Sequence, residues 1–366
     1  MSAARDCALY LEKGHLFVGQ GFGARGTAGG EVVFNTGMAG YQEIYTDPSY
    51  YKQVVVLTGA HVGNTGANSE DVESSKLYLS AAVVRDYNEI PSNWRSTQTL
   101  SDYLRLNEVP GISGVDTREI TRIIRDEGAQ RGVLFAVDGL EPAALQQRGR
   151  ELIRGIENMR GLELVSRVST DAPYESGDRF NPLVVLYDFG VKTNIVQSLT
   201  RRGLRVLVVP HDYPCEDVLK MSPVAVTLSN GPGDPAAVIE GVKQIKGIVG
   251  RLPILAICMG HQLLARALGC STYKLKFGHH GVNHPVKDCQ SGRILITSHN
   301  HGFAVREEDL GLKEIVVSHR SLNDGCVEGF ISEKLGLLSV QFHPEARPGP
   351  SDASYLFDQF TRGYLR

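Results

Sequence analysis

The sequence is short of several features that would assign it quickly. Its six cysteines, Cys7, Cys215, Cys258, Cys270, Cys289 and Cys326, are scattered without CxxC spacing. That argues against a zinc ribbon and a disulfide framework and leaves free thiols, most simply read as small buried residues. No stretch reaches about 18 uninterrupted apolar residues, and the opening MSAARDCALYLEKG has no apolar core long enough for a signal peptide. A cytosolic protein is the expectation. A strong charge of one sign is also missing: the formal net charge is -3. It provides no broad cationic field for nucleic acid or anionic membrane, and small or neutral ligands fit better. There is no GxxxxGK[ST] phosphate loop. The GxGxxG at Gly21 to Gly26 is followed by TAGGEVVFN, a strand, where the dinucleotide fingerprint needs a helix.

What remains is the composition of a globular protein: 366 residues, 42% hydrophobic and 22% charged. That length predicts two domains. From Asp6 to about residue 90, short apolar runs alternate with glycines, and CALYLEKGHLFVGQ reads as a hairpin turning near Lys13 and Gly14. Helices follow, with Thr99 capping TLSDYLRL and Asp116 to Glu119 forming a capping box before Ile120, Ile123 and Ile124. The first domain, 1–158, is therefore expected to be mixed α/β and rich in strands. Residues 159–181, polar and broken by Pro173, Gly177 and Pro182 at its edge, are expected to be a linker. From 182 to 366 strands and helices alternate: LVVLYDF, KTNIVQSLTRRG, LRVLVVP, EDVLKM, VAVTLSN, VIEGVKQIKGIVG, PILAIC, GHQLLARALG. That pattern predicts a doubly wound, mostly parallel sheet covered on both faces.

Cys258 sits where PILAI ends and GHQLLARAL begins. In an open α/β sheet this is where ligands bind, and the positive end of the helix favours a thiolate. Gly260 supplies little bulk and permits close approach of chain or substrate. A thiol nucleophile needs a base and the base an orienting group. His261 is the nearest of the eleven histidines, but it tilts away along the helix and reads as structural. His343 in QFHPEARP ends a strand that Pro344 terminates, and Glu345, two residues on, points the same way. Ser229-Asn-Gly-Pro-Gly-Asp-Pro235 follows the strand VAVTL and forms a rigid loop. The amides of Gly231 and Met259 are candidates for an oxyanion hole.

These motifs, in this order, resemble the class I (triad) glutamine amidotransferases. The N-terminal third, GEVVFNTGMAGYQEIYTDPSY, and KFGHHGVNHPV make the chain as a whole similar to the small, glutamine-hydrolysing subunits of carbamoyl phosphate synthetases. The resemblance implies that Cys258 attacks the glutamine carboxamide, His343 takes and returns the proton, and Glu345 orients His343. It implies a γ-glutamyl thioester that water hydrolyses. It also implies glutamine contacts at Ser49, Gly231, Gly233, Met259, Gln262, Asn300, Gly302 and Phe303. For Ser49 this is the sole basis, since TDPSYY otherwise reads as a turn. It implies a heterodimer in which a large, ATP-binding subunit, with its magnesium, receives the ammonia. This chain itself is expected to hold no cofactor and no metal. The pathway served, pyrimidine or arginine synthesis, stays open. The pair Ser298-His299 departs from the amide-rich pair frequent before NHGF.

Three alternatives stand beside this reading. One is the glutaminase component of another synthase; a second is a non-catalytic scaffold of the same fold, against which the intact Cys258, His343 and Glu345 argue. The third is a metal-binding module at His279, His280, His284 and Cys289, disfavoured because Gly278, Gly281 and Pro285 predict a loop without regular ligand spacing.

Overall fold

A computed structural model describes residues 5–312 and 315–364. Contacts between Cα atoms divide it into two units, with the boundary after Met159 and with Lys276–Gly281 grouped with the first.

In the first unit, the glycine-separated apolar runs form β1 (Cys7–Leu11), β2 (Leu16–Gly23), β3 (Ala28–Asn35), β4 (Gln53–Leu57), β5 (His61–Val62), β6 (Ala81–Val83), β7 (Asp86–Tyr87), β8 (Pro110–Ser113) and β9 (Gln130–Ala136). Between them lie α1 (Tyr41–Thr46), α2 (Leu100–Leu106) and α3 (Thr117–Glu127), and α4 (Pro142–Leu152) follows. The hairpin expected at Lys13 and Gly14 pairs β1 with β2. Seven strands close into a barrel in the order β1-β2-β8-β6-β4-β3-β9, with β9 returning antiparallel to β1. Closure removes open sheet edges, so short strands suffice. Alternation along the strands sends Leu9, Leu11, Val32, Val54 and Val56 into one apolar cluster with Ile120 and Ile124 of α3. Ala8, Tyr10, Val133 and Phe135 enter another with Leu145 of α4. The caps expected for α2 and α3 are present: Thr99 Oγ1 accepts from Asp102 N at 3.0 Å, and Asp116 Oδ1 from Glu119 N at 2.9 Å.

The second unit begins with β10 (Tyr174–Ser176) and continues β11 (Leu183–Asp188), α5 (Thr193–Thr200), β12 (Arg205–Pro210), α6 (Cys215–Lys220), β13 (Ala225–Leu228), α7 (Ile239–Ile248), β14 (Ile254–Ile257) and α8 (Met259–Ala267). Then come β15 (Thr272–Asp288), β16 (Ile294–Val305), β17 (Val316–Ser321), β18 (Val327–Ser332), β19 (Leu337–Val340) and α9 (Tyr355–Tyr364). The ten strands lie in the order β10-β12-β11-β13-β14-β19-β18-β17-β15-β16. The central five, β12 to β19, are parallel. Their residues are buried on both faces. Val185, Tyr187, Val226 and Ala256 pack with Ile245, Leu263 and Leu264 of α7 and α8. Val184, Leu186, Leu255 and Val340 pack with Ile195, Leu199, Phe357 and Phe360 of α5 and α9. This is the doubly wound sheet that the alternation of strands and helices predicts.

Two stretches differ from expectation. Residues expected as linker supply an edge strand, β10, antiparallel to β12. Three residues suffice there because the neighbouring backbone provides the register. KFGHHGVNHPV is not a loop but part of the 17-residue strand β15, in which Gly278 (φ 77) absorbs a local departure that other residues resist. Successive His279 and His280 therefore point to opposite faces, and Cys289 lies exposed beyond the strand's end. Among the described residues no helix is long and apolar enough to cross a membrane.

Candidate active site

Loops at the carboxyl ends of β11, β13, β14 and β19 make up the site, as the rule for open parallel sheets requires. Cys258 belongs to sheet and helix at once. Its N–H donates to Val340 O at 2.9 Å, continuing the ladder of β14 with β19, while its carbonyl already accepts from Gln262 N at 3.2 Å in α8. To satisfy both it adopts φ 54 and ψ -106, a conformation side chains resist. The elbow is braced from β13: Gly260 N donates to Ser229 O at 2.9 Å. A Cβ on Gly260 would lie 2.4 Å from Leu228 O, so the residue must be glycine for α8 to start this close to β13. The first amides of α8, Met259 among them, have no intrahelical acceptor.

The Cys258 thiol is 2% exposed and donates to the carbonyl of Asn300 at 3.7 Å. His343 is held by its backbone: its N–H donates to Ser298 O at 2.9 Å, an isolated bridge to β16. Its Nδ1–H donates to Glu345 Oε1 at 2.6 Å. The same oxygen accepts from Lys192 Nζ at 3.0 Å, and Lys192 also donates to Ala346 O at 2.6 Å. Asn194 Nδ2 donates to the Glu345 carbonyl. All these side chains are buried.

Charge decides their protonation. Burial alone disfavours the His343 imidazolium, but the charges of Glu345 and Cys258 outweigh it and hold His343 well above the usual histidine range. Burial likewise raises the Glu345 carboxyl, and Lys192 and then His343 overcome it, holding the group below the usual carboxylate range. His343 Nε2, the nitrogen opposite the one bonded to Glu345, makes no hydrogen bond of normal geometry. The interaction that raises His343 nonetheless sets it beside the Cys258 sulfur. The triple Cys258, His343, Glu345 is thus a thiol, a basic ring and an orienting carboxylate in sequence.

The loop after β13 is locked to the loop after β11. Ser229 Oγ accepts from Phe189 N and donates to Asn230 O, both at 2.9 Å. Asn230 Oδ1 accepts from Lys192 N at 3.1 Å. At Gly231 a Cβ would stand 2.0 Å from Phe189 O. Gly233 has φ 93, and Asp234 Oδ2 ties the loop to the chain ahead of β10 by accepting from Gly161 N at 2.8 Å. Gly231 and Met259 thus follow the adjacent parallel strands β13 and β14.

Asn300, Gly302 and Phe303 lie together on β16. Gln262 is tied to that strand, its Nε2 donating to Phe303 O at 2.8 Å and to Gln341 Oε1 at 2.9 Å. Both amide hydrogens are therefore engaged within the protein, and Gln262 positions β16. Ser49 belongs to the first unit, in the turn Pro48–Tyr50, where its N–H donates to Asp47 Oδ1 at 2.9 Å. His261 is fully buried against Phe330, bonded through Nδ1 to Ser339 Oγ at 2.7 Å, and burial pushes it down to about 3. It is neutral and structural, as its place in the helix predicts.

Sequence reasoning overlooked Lys192, Asn194 and Ser298. Nothing in the sequence around Lys192, two residues beyond YDFG, marks the buried carboxylate partner that the fold supplies. Ser298 acts through its carbonyl, which leaves no trace in residue type.

The family model described as "Carbamoyl-phosphate synthase small chain, CPSase domain" matches residues 9–134, and that described as "Glutamine amidotransferase class-I" matches 185–362. The carbamoyl phosphate synthase small chain of Solidesulfovibrio magneticus is 47% identical, with 96% of each chain covered. The chloroplastic small chain of Oryza sativa is 45% identical over 97% of this chain and 81% of its own. The pyrimidine-specific small chain of Halalkalibacterium halodurans is 46% identical over 97% and 96%. Among solved structures, a glutamine amidotransferase from Thermotoga maritima matches with TM-score 0.37 at 17% identity, covering 45% of this chain and 76% of its own.

Proposed function

The chain belongs to the carbamoyl phosphate synthase small-chain family, glutamine-hydrolysing subunits, and on that premise we propose that it generates ammonia through a thioester on Cys258. Cys258 Sγ attacks the carboxamide carbon of L-glutamine while the thiol proton passes to His343 Nε2. The tetrahedral oxyanion rests on the amides of Met259 and Gly231. His343 returns the proton to the leaving nitrogen, the C–N bond breaks, and ammonia departs from a γ-glutamyl thioester. His343 then takes a proton from water, whose oxygen attacks the thioester, and glutamate leaves with the thiol restored. Glu345 holds the ring in one tautomer and stabilises its charged form, and Lys192 keeps Glu345 ionised. Gly233, Asn300, Gly302 and Phe303 complete the binding of glutamine, and Gln262 holds the strand that carries the last three.

The observation that carries this reading is the strained elbow at Cys258 beside a histidine whose other nitrogen is bonded to a buried carboxylate. A scaffold without chemistry has no use for that strain. Ammonia freed into water would be protonated and unreactive, and this sequence has no phosphate loop. The synthetic step therefore falls to a large partner that binds ATP and magnesium, in a cytosolic heterodimer serving pyrimidine or arginine synthesis. The test is glutamine-dependent carbamoyl phosphate formation by this chain mixed with such a partner. Cys258→Ser should abolish glutamate release while the mixture still uses added ammonia. Undiminished glutamate release by the serine variant would falsify the assignment.

A further inference from the structure

Asp188, the last residue of β11, is 4% exposed, and no step of glutamine hydrolysis uses its carboxylate. Three backbone amides point at it. Oδ1 accepts from Gly190 N at 2.9 Å and from Val191 N at 2.8 Å, and Oδ2 accepts from Thr170 N at 2.8 Å. One oxygen thus folds the loop after β11 back onto its own strand, while the other fastens the segment that leads to β10. Charge is not what the position requires. Burial holds the carboxyl above the usual carboxylate range, against the pull of the three amides and of His211. What the fold uses there is a pair of acceptors.

The loop so folded, Phe189 to Lys192, touches both halves of the catalytic apparatus. Its first residues back the oxyanion loop: a Cβ on Gly231 would stand 2.0 Å from Phe189 O, and a Cβ on Gly190 would stand 3.1 Å from both Gly231 Cα and Pro232 Cδ. Neither backbone can move without carrying the other. Its last residue is Lys192, whose amide donates to Asn230 Oδ1 at 3.1 Å and whose Nζ lies 3.0 Å from Glu345 Oε1. Between these two contacts stand the amides that Asp188 Oδ1 accepts.

We propose that Asp188 is a positioning residue that sets the Gly231 amide and the Lys192 ammonium in register with each other through Oδ1. Its effect on rate rests on the glutaminase reading; its geometry rests on the hydrogen bonds alone. An oxyanion donor contributes only when the tetrahedral oxygen forms, so releasing the loop lowers kcat more than it raises KM. Releasing Lys192 lets the buried Glu345 carboxyl rise, so the acid limb of the rate moves to higher pH. A residue that only stabilised the fold would move neither.

Asp188→Ala and Asp188→Asn, measured on the full chain, separate the two oxygens. Asparagine keeps a carbonyl oxygen for Gly190 and Val191 and gives up only the bond to Thr170, so it should stay within a few-fold of wild type with an unmoved acid limb. Alanine frees the loop and should lower kcat for glutamate release on the order of 100-fold, with the acid limb displaced upward. Hydrogen exchange at the Gly190 and Val191 amides reads the anchor without any assay of activity: it should quicken in Asp188→Ala and stay slow in Asp188→Asn. Gly190→Ala, whose methyl presses on Gly231 directly, should likewise lower kcat more than it raises KM, and it stands in if Asp188→Ala does not fold. The proposal is overturned if Asp188→Asn loses as much rate as Asp188→Ala, if Asp188→Ala keeps the wild-type kcat and acid limb, or if the two amides exchange alike in both variants. A wild type that releases no glutamate while its amides follow this pattern would sink the glutaminase reading and leave the anchor standing.

Discussion

Lys192 Nζ lies 3.0 Å from Glu345 Oε1, with the two side chains 3% and 0% exposed. The lysine comes from the start of α5 and the glutamate from beyond β19, so the pair joins two of the loops that build the site. Its energetic role follows from burial. A carboxylate cannot stay ionised in that position without a partner, and removing one member of a buried pair costs about 3–5 kcal/mol. Lys192→Met should therefore destabilise the chain by that order. The pH dependence has a definite sign. Glu345 is held below its unfolded range by Lys192 and His343 against the opposing effect of burial. Its stabilisation is thus present above the unfolded carboxyl range and lost as pH falls through the folded value. Without Lys192 the carboxyl rises, and acid unfolding should begin at a higher pH. Thermal melts of both proteins from neutral pH downward check this, and coincident acid limbs would refute the role assigned to Lys192.

Gly260→Ala tests how rigidly β13 and α8 are set. The added methyl would meet Leu228 O at 2.4 Å and Leu228 Cβ at 2.6 Å, atoms of a central strand that cannot move aside. Overpacking of this kind costs about 1–3 kcal/mol. The helix start must shift instead, carrying the Met259 amide with it, and a displacement of that size costs on the order of 100-fold in rate. Gly155→Ala is the matched control, because nothing lies within 4 Å of its added methyl; it should change stability by less than about 0.5 kcal/mol. Melting temperatures and glutamate release for the two variants separate the cases. Equal behaviour would show that the elbow tolerates bulk.

Much of the second unit was legible because its central strands are continuous apolar runs and its helices recur between them. Cys258, His343 and Glu345 were legible for a related reason: each sits where a periodic element stops, and the fold rule says what happens there. The antiparallel strands β15 to β18 were not, since glycines and prolines such as Gly278, Gly281 and Pro285 look like punctuation when neighbouring strands are unseen. Closure of the barrel was equally hidden. It rests on β9 returning to β1 from more than 100 residues away, and no local pattern encodes that pairing. At the site, resemblance alone implied a substrate contact for Gln262, and its amide hydrogens hold Phe303 and Gln341. A side chain of the right type in the right helix does not reveal which way its hydrogens point.

The backbone of Cys258 allows a measurement that separates strain from chemistry. Alanine and glycine in its place both lack the sulfur, so both should be inactive and any difference between them reports the elbow alone. At φ 54 and ψ -106 a residue with a Cβ bears a cost on the order of 1–3 kcal/mol, which glycine escapes. Glycine in turn loses about 0.5–1 kcal/mol through its greater freedom when unfolded. The balance predicts that Cys258→Gly is more stable than Cys258→Ala by about 1 kcal/mol. Urea unfolding with equal m-values would read this directly as a higher midpoint for the glycine variant. A midpoint equal to or below that of the alanine variant would mean that the bonds to Val340 and Gln262 place the residue there without strain. If the glycine variant is the more stable, the chain gives up stability at this position to keep a thiol projecting from the turn, next to His343, where a core cysteine would have no reason to sit.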